Sequence, residues 1–385
     1  MELKPGYKKT DVGLIPEEWN CIRLGDIGEA LIGLTYRPAD VKESGILVLR
    51  SSNIQNNKLS LQDNVFVVAE VPERIRVRYG DVLVCVRNGS RDLIGKSTYL
   101  DERVVGMTFG AFMAVHRSPY GRFISFLFQS RVLKHQISEH LGATINQITN
   151  KSLNSFQIPL PGSDDEQCAI ATALGDVDAL LAAQDALIAK KRAIKQGAMQ
   201  ELLTGKLRLP GFSGEWELKR LSTVMTIHHG KDQKGVSCPN GQFPILATGG
   251  QIGMANQWLY DKPSVLIGRK GTIDRPQFMD TPFWTVDTLF YSEILAGNDA
   301  KFLYYRFCLI DWHLYNEASG VPSLNARTIE GIELSLPPPE EQYAISKVVS
   351  DMDAELDALE TQRAKTAQLK QGMMQALLTG RIRLV

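Results

Sequence analysis

The sequence lacks paired cysteines and long apolar runs. Its 385 residues include five cysteines, and none of them stands in a Cys-x-x-Cys spacing. This argues against a disulfide framework and against a thiolate zinc site. No run reaches the roughly 18 apolar residues of a membrane-spanning helix. The start, MELKPGYKKTDVGLIPEEW, has no apolar core like that of a secretion signal. We therefore expect a cytoplasmic protein with free thiols.

The chain also has no net charge, because 43 Lys and Arg balance 43 Asp and Glu. A protein that binds nucleic acid by charge alone is usually strongly basic, so any such binding must rest on local patches. A hydrophobic fraction of 44% is typical of a globular protein. A chain of this length is too long for one core and favours two or more domains.

Catalytic and metal-binding motifs are scarce. The proline run Pro337–Pro339 precedes Glu340, where an adenine methyltransferase would need an aromatic residue after Asn/Asp-Pro-Pro. The stretch GSRDLIGKS, from Gly89 to Ser97, has five residues between its glycines, whereas a phosphate-binding loop needs four. The histidine pairs have no supporting cysteine or carboxylate cluster. We therefore expect no catalytic residue and no metal site.

An internal repeat is the main feature present. Asp164–Leu209 and Pro339–Leu384 align without a gap at an offset of 175 residues, with 22 identities in 46 positions. Both copies carry acidic residues at their start, as a helix N-terminus favours. Both close on Leu-Leu-Thr-Gly, where Gly205 and Gly380 can end a helix.

Apolar residues recur in both copies at the spacings of three, four and seven that indicate an amphipathic, coiled-coil-like helix. About 40 residues in a helix span ~60 Å. Neither helix can bury this apolar seam alone, so we expect the two helices to pair and to offer a partner-binding face. The predicted seam consists of Ile170, Leu174, Val177, Leu181, Ile188, Ile345, Val349, Met352, Leu356 and Leu359.

Two strand-rich globules alternate with these helices. The pattern W-x-x-x-R-L occurs at Trp19–Leu24 and again at Trp216–Leu221, just after the first helix. The N-terminus therefore resembles what should follow the second helix. The predicted fold is α+β, with two antiparallel helices and a circular, pseudo-two-fold arrangement. The predicted segments are globules at 1–162 and 208–335 and helices at 163–207 and 336–385.

Several strings resemble one known family, the specificity (S) subunit of type I restriction–modification systems, also called HsdS. They are VGLIPEEW near the start, the spacer segments LTGKLRLPGFSGEWE and LPPPEEQ, and LYDKPSVLIGRKGTI with TPFWTVDTLF in the second globule. The resemblance covers nearly the whole chain. The first globule is its least characteristic part.

The resemblance implies a non-catalytic subunit of a phage-defence complex. Each globule would be a target recognition domain that reads one half of an asymmetric, bipartite site in double-stranded DNA. The helices would set the gap and dock two modification subunits, which methylate adenine at N6 with S-adenosylmethionine. Up to two restriction subunits would use ATP and Mg²⁺. No cofactor is expected in this chain.

Loops rich in Arg, Lys, Asn and Gln are the candidate DNA contacts, because these side chains bond guanine or adenine edges and phosphates. In the first globule they are Arg50, Asn53, Arg87, Asn88, Ser90, Arg91 and Lys96. In the second they are Thr248, Gln251, Arg269, Lys270 and Thr272. Two alternatives stay open at this point: a coiled-coil scaffold that binds only protein, and a self-contained DNA nuclease.

Overall fold

A computed structural model describes residues 5–141 and 146–384. The chain divides into two compact units, of which the first comprises residues 1–184 and 362–385 and the second residues 185–361. Each unit therefore contains one globule and half of each repeat. The helices are α1 (Gly121–Gln129), α2 (Arg131–Leu141), α3 (Asn150–Ser155), α4 (Asp164–Leu202), α5 (Ala300–Phe307), α6 (Ala326–Glu330) and α7 (Pro339–Leu377).

The predicted long helices are confirmed as α4 and α7, each of 39 residues. Both end three residues before the predicted glycine, and Gly205 and Gly380 then adopt φ values of +74° and +68°. Glycine is favoured in this left-handed conformation because it has no Cβ. Within the described residues, no helix is long and apolar enough to cross a membrane.

Short strands make up the rest of the first unit. They are β1 (Tyr7–Thr10), β2 (Gly13–Pro16), β3 (Asn20–Arg23), β4 (Glu29–Ile32), β5 (Val41–Lys42), β6 (Ile46–Leu49), β7 (Ile54–Gln55), β8 (Lys58–Leu59), β9 (Phe66–Val67), β10 (Val82–Cys85), β11 (Ser97–Tyr99), β12 (Thr108–Phe109), β13 (Met113–Arg117) and β14 (Gln157–Leu160). Two four-stranded sheets run in the orders β11-β10-β13-β4 and β12-β6-β9-β5.

The second unit repeats this plan with fewer strands. They are β15 (Glu217–Arg220), β16 (Met225–His229), β17 (Phe243–Ala247), β18 (Gly250–Ala255), β19 (Ser264–Gly268), β20 (Gln277–Met279), β21 (Trp284–Thr285), β22 (Leu289–Ile294) and β23 (Glu333–Leu336). Its main sheet, β16-β22-β19-β20, has the same order as β4-β13-β10-β11 of the first unit. In both units a parallel pair joins the second sheet, β12 with β6 and β21 with β17.

Short 3-10 turns join these elements. They lie at Leu24–Asp26, Pro38–Asp40, Ser51–Asn53, Glu73–Ile75, Arg91–Leu93, Glu102–Val104, Leu221–Thr223 and Trp312–Tyr315. The α+β class, with two strand-rich units and two long helices, is thus confirmed. The pseudo-two-fold relation between the units stays a prediction.

The helical seam belongs to the core of each unit. Ile170 and Leu174 are fully buried with Val82 and Phe123 in the first unit. Ile345 and Val349 are fully buried in the core of the second unit. Leu181, Ile188 and Leu356 are also buried, at 7% exposure each, while Val177, Met352 and Leu359 are half-buried. Ile170, Leu174, Ile345 and Val349 therefore pack the cores of the chain's own units and do not face a partner. For the rest of the seam, partner binding stays a prediction.

Matched ion pairs join the two helix halves inside each unit. In the first unit, Lys370 Nζ lies 2.7 Å from Asp178 Oδ1 and faces the ring of Phe126. In the second unit, Lys195 pairs with Asp353 and faces the ring of Tyr305. These lysines and these aspartates are related by the 175-residue offset of the repeat. Each unit therefore uses the repeat to hold its own pair of antiparallel helix segments.

A second matched pair seats the tryptophan that follows each helix. Arg383 Nη2 donates to the buried Glu166 at 2.9 Å and lies over the ring of Trp19. Arg208 Nη2 donates to the buried Glu341 at 2.6 Å and lies over the ring of Trp216. In the first unit the partner tryptophan comes from the N-terminus, so the chain's start packs against its end. The sequence pattern W-x-x-x-R-L had predicted this closure.

Candidate nucleic-acid interface

Four loops of the first unit meet around a cleft of about 670 Å³. They follow β4, β6, β10 and β12, and they bring together polar and aromatic side chains from distant parts of the chain. The predicted residues Arg50, Arg87 and Asn88 all line the cleft. The same cleft contains residues that the sequence did not single out, including Tyr36, Ser51, Asp63 and Phe112.

The cations of this cleft differ in how they are held. Arg50 Nη2 donates to both carboxylate oxygens of Asp63 at 3.1 Å, while its buried Nε has no partner in the described residues. The guanidinium of Arg87 lies 5.2 Å from the centre of the exposed Phe112 ring, within the range of a cation–π contact. Within the described part of the chain, the Arg87 side chain has no hydrogen-bonded partner, whereas Arg50 is partly neutralised by Asp63.

Asn88 and its neighbours shape the turn after β10. Its side-chain oxygen accepts from the backbone of Ser90 at 3.0 Å, and its amide donates to Ser51 at 3.4 Å. Ser90 precedes the 3-10 turn at Arg91–Leu93 and is exposed. Cys85 lies beneath this turn, and burial raises the pKa of its thiol. The thiol is therefore neutral at neutral pH.

Asn53 does not reach the surface. Its side chain is fully buried, accepts from the backbone of Arg50 at 2.8 Å, and donates to the backbone of Ser60 at 3.0 Å. In this conformation the amide cannot bond a base. It instead fixes the loop that carries Arg50, because a buried amide must be satisfied by hydrogen bonds.

A smaller, basic cleft of about 320 Å³ is lined by three cations and one carboxylate, Asp92. The predicted residues Arg91 and Lys96 line it together with Lys134 of α2, which the sequence did not suggest. Lys96 also donates to the backbone oxygen of Ser51 at 3.4 Å, so it connects the two clefts. Among the described residues, none of the three cations has a carboxylate within 4.0 Å. The cleft therefore suits an anion.

In the second unit, the candidates fall on two neighbouring loops. Lys270 is exposed, whereas Arg269 is partly covered and donates to the backbone oxygen of Asp287 at 3.1 Å. Thr248 lies against this loop, since a Cβ on Gly271 would be 3.9 Å from its hydroxyl. Thr272 is half-buried in the same loop. Gln251 is exposed on β18 and donates to the backbone oxygen of Gly253 at 3.3 Å.

The two units build these loops on one backbone frame. In the first, the amides of Val86 and Arg87 both donate to the Phe112 carbonyl, each at 3.1 Å. In the second, the amides of Arg269 and Lys270 both donate to the Thr288 carbonyl, at 2.8 and 3.3 Å.

The frame continues into the segment before α3 and before α6. Ile148 donates to the Val86 carbonyl, and Leu324 donates to the Arg269 carbonyl. Arg87 bridges to Gln147, and Lys270 bridges to Ser323. The matching bonds make Arg87 and Lys270 equivalent. A further matching bond relates the loops before them: the amide of Gly110 donates to the Leu49 carbonyl, and the amide of Val286 donates to the Leu246 carbonyl. Ser51 and Thr248 each lie two residues after this acceptor and are therefore equivalent.

The exposed faces of the long helices carry a second feature that both copies of the repeat share. Several residues are identical in both copies of the repeat although they are exposed and the core does not need them. They include Ala189 and Ala364, Lys190 and Lys365, Gln196 and Gln371, Gly197 and Gly372, and Gln200 and Gln375. In each unit the glutamines line a groove beside the globule, of about 430 Å³ in the first and about 570 Å³ in the second.

No cluster of three or more His, Cys, Asp or Glu side chains that could hold a metal ion occurs in residues 5–141 and 146–384. The histidines at 228 and 229 lie on β16, where His228 stacks on Tyr291 and contacts Glu293. These histidines therefore have structural neighbours inside the second unit.

Comparison with known proteins agrees with this geometry. The family model of the type I restriction modification DNA specificity domain matches residues 16–190 and, a second time, residues 213–371. The chain belongs to this family of type I specificity proteins. Members of the family select the DNA site for a type I complex and are not its catalytic subunits. Each of the two matches contains one set of the loops described above.

Individual relatives extend over different parts of this specificity protein. The EcoKI specificity subunit of Escherichia coli K12 is 30% identical over 216 residues, which are 51% of this chain and 46% of that subunit. The putative MjaX specificity subunit of Methanocaldococcus jannaschii is 26% identical and aligns with 98% of this chain and 96% of its own. The crystal structure of an S subunit from M. genitalium shares the fold, with a TM-score of 0.64, 16% identity and 98% coverage of both chains.

Proposed function

We propose that this specificity protein reads a split, asymmetric site in double-stranded DNA. Residues 1–162 would form the recognition domain for one half and residues 208–335 the domain for the other. The observation that carries the proposal is the shared backbone frame, which presents different side chains in the two units. One frame with two sets of side chains suits the reading of two different sequences.

The proposed DNA contacts are the accessible members of the predicted set. In the first unit they are Arg50, Arg87, Asn88, Ser90, Arg91 and Lys96, with Asn53 as the residue that holds the Arg50 loop. In the second unit they are Thr248, Gln251, Arg269, Lys270 and Thr272. Cations without a neighbouring carboxylate favour this interpretation over a scaffold that binds only protein, because such a scaffold would not need them.

The helices, at 163–207 and 336–385, would set the gap between half-sites and dock the partners. A repeat that stays identical at exposed positions suits one kind of partner that binds twice. We propose that two modification subunits occupy the glutamine-lined grooves and methylate adenine at N6 with S-adenosylmethionine. Up to two restriction subunits, using ATP and Mg²⁺, would complete the complex in the cytoplasm.

The proposal is tested by sequencing N6-methyladenine across the genome of the host strain, with the gene for this chain intact and deleted. We expect a split, asymmetric motif that disappears on deletion and returns on complementation. Replacing residues 1–162 with the corresponding segment of another specificity subunit should then change one half of the motif and leave the other half intact.

The control is a strain that keeps the gene for this chain and lacks the gene for the partner methyltransferase. This strain should also lose the motif. If the motif persists without this chain while it depends on the methyltransferase, the chain does not select the site. If the domain replacement changes both halves, the division of reading between the two units is wrong.

A further inference from the structure

The shared frame allows residues of two unlike loops to be matched one to one. Sequence alignment pairs Arg87 with Arg269, since both begin an Arg-x-Gly string. The hydrogen bonds instead pair Arg87 with Lys270, because each is the second of two amides that share one carbonyl acceptor. Each also bridges to the segment before a short helix.

We infer that Arg87 and Lys270 are the equivalent base-reading residues of the two units, each bonding a guanine in its own half-site. This inference rests on the proposed function and assigns the reading to one position of the frame. Both side chains are exposed, and their backbone amides are already bonded, so each side chain projects from a fixed point.

The neighbouring cations are committed elsewhere. Arg269 donates to the Asp287 backbone and has the Asp287 carboxylate 3.8 Å away. Arg50 is paired with Asp63. For Arg87 and Lys270, no carboxylate lies within 4.0 Å in the described residues. Arg269 therefore braces the loop with part of its guanidinium and is less available to a base, whereas in the described residues Arg87 and Lys270 keep their donors for a ligand.

Guanine is the base that such donors fit best. Its major-groove edge presents two acceptors, N7 and O6, and Arg or Lys donors to them form the commonest specific protein–DNA contact. The contact of Arg87 with the Phe112 ring restrains the plane of the guanidinium, which suits a bidentate bond. Lys270 has no such aromatic neighbour among the described residues, and its ammonium is a single point of charge. We therefore expect sharper discrimination in the half-site read by the first unit.

The test uses the chain assembled with its modification subunit and duplexes built on the motif found by methylation sequencing. Arg87→Ala should lower the preference for one guanine of one half-site by roughly 10- to 100-fold, the usual value of a specific base contact. Lys270→Ala should do so for a guanine of the other half-site. Matched controls are Lys58→Ala and Lys262→Ala, which remove exposed cations away from the frame position.

Duplexes with 7-deazaguanine at the assigned position give an independent readout, because they lack the N7 acceptor but keep the phosphate backbone. They should bind the unsubstituted complex more weakly and bind the Arg87→Ala complex as well as the unmodified duplex does. The exchange variants Arg87→Lys and Lys270→Arg keep the charge. They should still prefer guanine but with a changed ratio of binding to specific and altered sites. A variant that has misfolded would instead lose binding to both sites.

Three results would overturn the inference. One is an equal loss on specific and altered sites, which would make these residues phosphate contacts. Another is an effect of both substitutions on the same half-site. The third is a half-site in which no guanine preference falls when its assigned residue, Arg87 or Lys270, is replaced. A strain that shows no split motif would instead contradict the proposed function, so the two failures can be distinguished.

Discussion

Single cations of the first unit fall into two groups. Arg74, Arg76 and Arg117 pair with Glu29, Glu73 and Asp81 inside their own unit. Arg91, Lys96 and Lys134 have no such partner in the described residues and share one cleft. This division separates residues that stabilise the unit from residues that remain available to an anion.

The basic cleft leads to a prediction about salt dependence. Replacing Arg91 and Lys134 together by Ala should weaken binding of the assembled complex to specific and altered DNA alike. Since each phosphate contact contributes about 0.9 to the slope of log K against log salt, the slope should fall by about 2. Titrations at several salt concentrations measure it.

Lys9→Ala with Arg23→Ala is the charge-matched control, because both residues are exposed and lie on other strands of the same unit. The slope of this control should stay near that of the unsubstituted complex. An equal fall in both variants would mean that total charge, and not the cleft, determines the slope. The methylated motif should be the same in all of these complexes.

His116 gives the first unit a predicted pH dependence. The ring is fully buried on β13, with Nε2 3.1 Å from the Leu24 carbonyl and Nδ1 unpartnered in the described residues. Burial lowers its pKa below the usual 6.5, although the Leu24 carbonyl and the nearby Asp81 oppose the shift.

Below pH 6.5 the unfolded chain binds a proton that the folded chain cannot, so stability should fall with pH until the lower folded-state pKa is reached. The slope is at most about 1.4 kcal/mol per pH unit for one proton. Thermal unfolding from pH 7.5 to 5.5 should show this loss in the parent and a smaller one in His116→Gln. His135→Gln, at an exposed position of α2, should behave like the parent. Identical pH profiles for the parent and His116→Gln would contradict the assignment.

At the scale of elements, the sequence predicted α4 and α7 well, because apolar residues at spacings of three, four and seven share one face only in an α-helix. It could not show what covers the apolar seam, because spacing places Ile170 and Leu174 on one face without naming the surface opposite. Nor could residue type distinguish the buried Asn53 from the accessible Asn88. That difference depends on Ser60 and other loop atoms that only the folded chain brings together.

The same limit applies to the reading position. Arg87 and Lys270 become equivalent only through bonds to Phe112 and Thr288, which come from distant strands. The sequence analysis missed Tyr36 and Phe112 in the lining of the larger cleft for this reason. The sequence shows Phe112 only as an aromatic residue in a largely apolar stretch, and its exposure is seen only in the folded chain.

The helix faces lead to a prediction about assembly. Gln371→Arg with Gln375→Arg changes only exposed positions, so the chain should fold normally. Because bulky charges would fill the groove of the first unit, one of the two modification subunits should be lost from the purified complex. Gln196→Arg with Gln200→Arg should have the matching effect on the second groove, and all four substitutions should remove both subunits.

Native mass spectrometry measures these stoichiometries. Lys219→Ala with Lys262→Ala is a suitable surface control, because these positions lie outside both grooves. Retention of two modification subunits by the fourfold variant would show that the identical glutamines do not form the docking surface.

At the scale of the whole molecule, the two helices link units that each have their own core. The ion pairs Lys370–Asp178 and Lys195–Asp353 fall within single units. An insertion in one helix alone would shift its pairing against the other helix. A matched insertion of seven residues in both, between 184 and 185 and between 361 and 362, keeps these two ion pairs and nearly preserves the helical phase.

This matched insertion should lengthen each helix by about 10 Å, which corresponds to about three base pairs of DNA. If the helices measure the gap, the methylated motif should keep both half-sites and gain unspecified base pairs between them. Methylation sequencing of a strain that carries the variant reads the gap directly. The single-helix insertion should give an unstable chain and no motif. A stable double variant that still methylates the original site, with the gap unchanged, would show that the helices do not set the spacing and that the distance between half-sites is determined by the partner subunits.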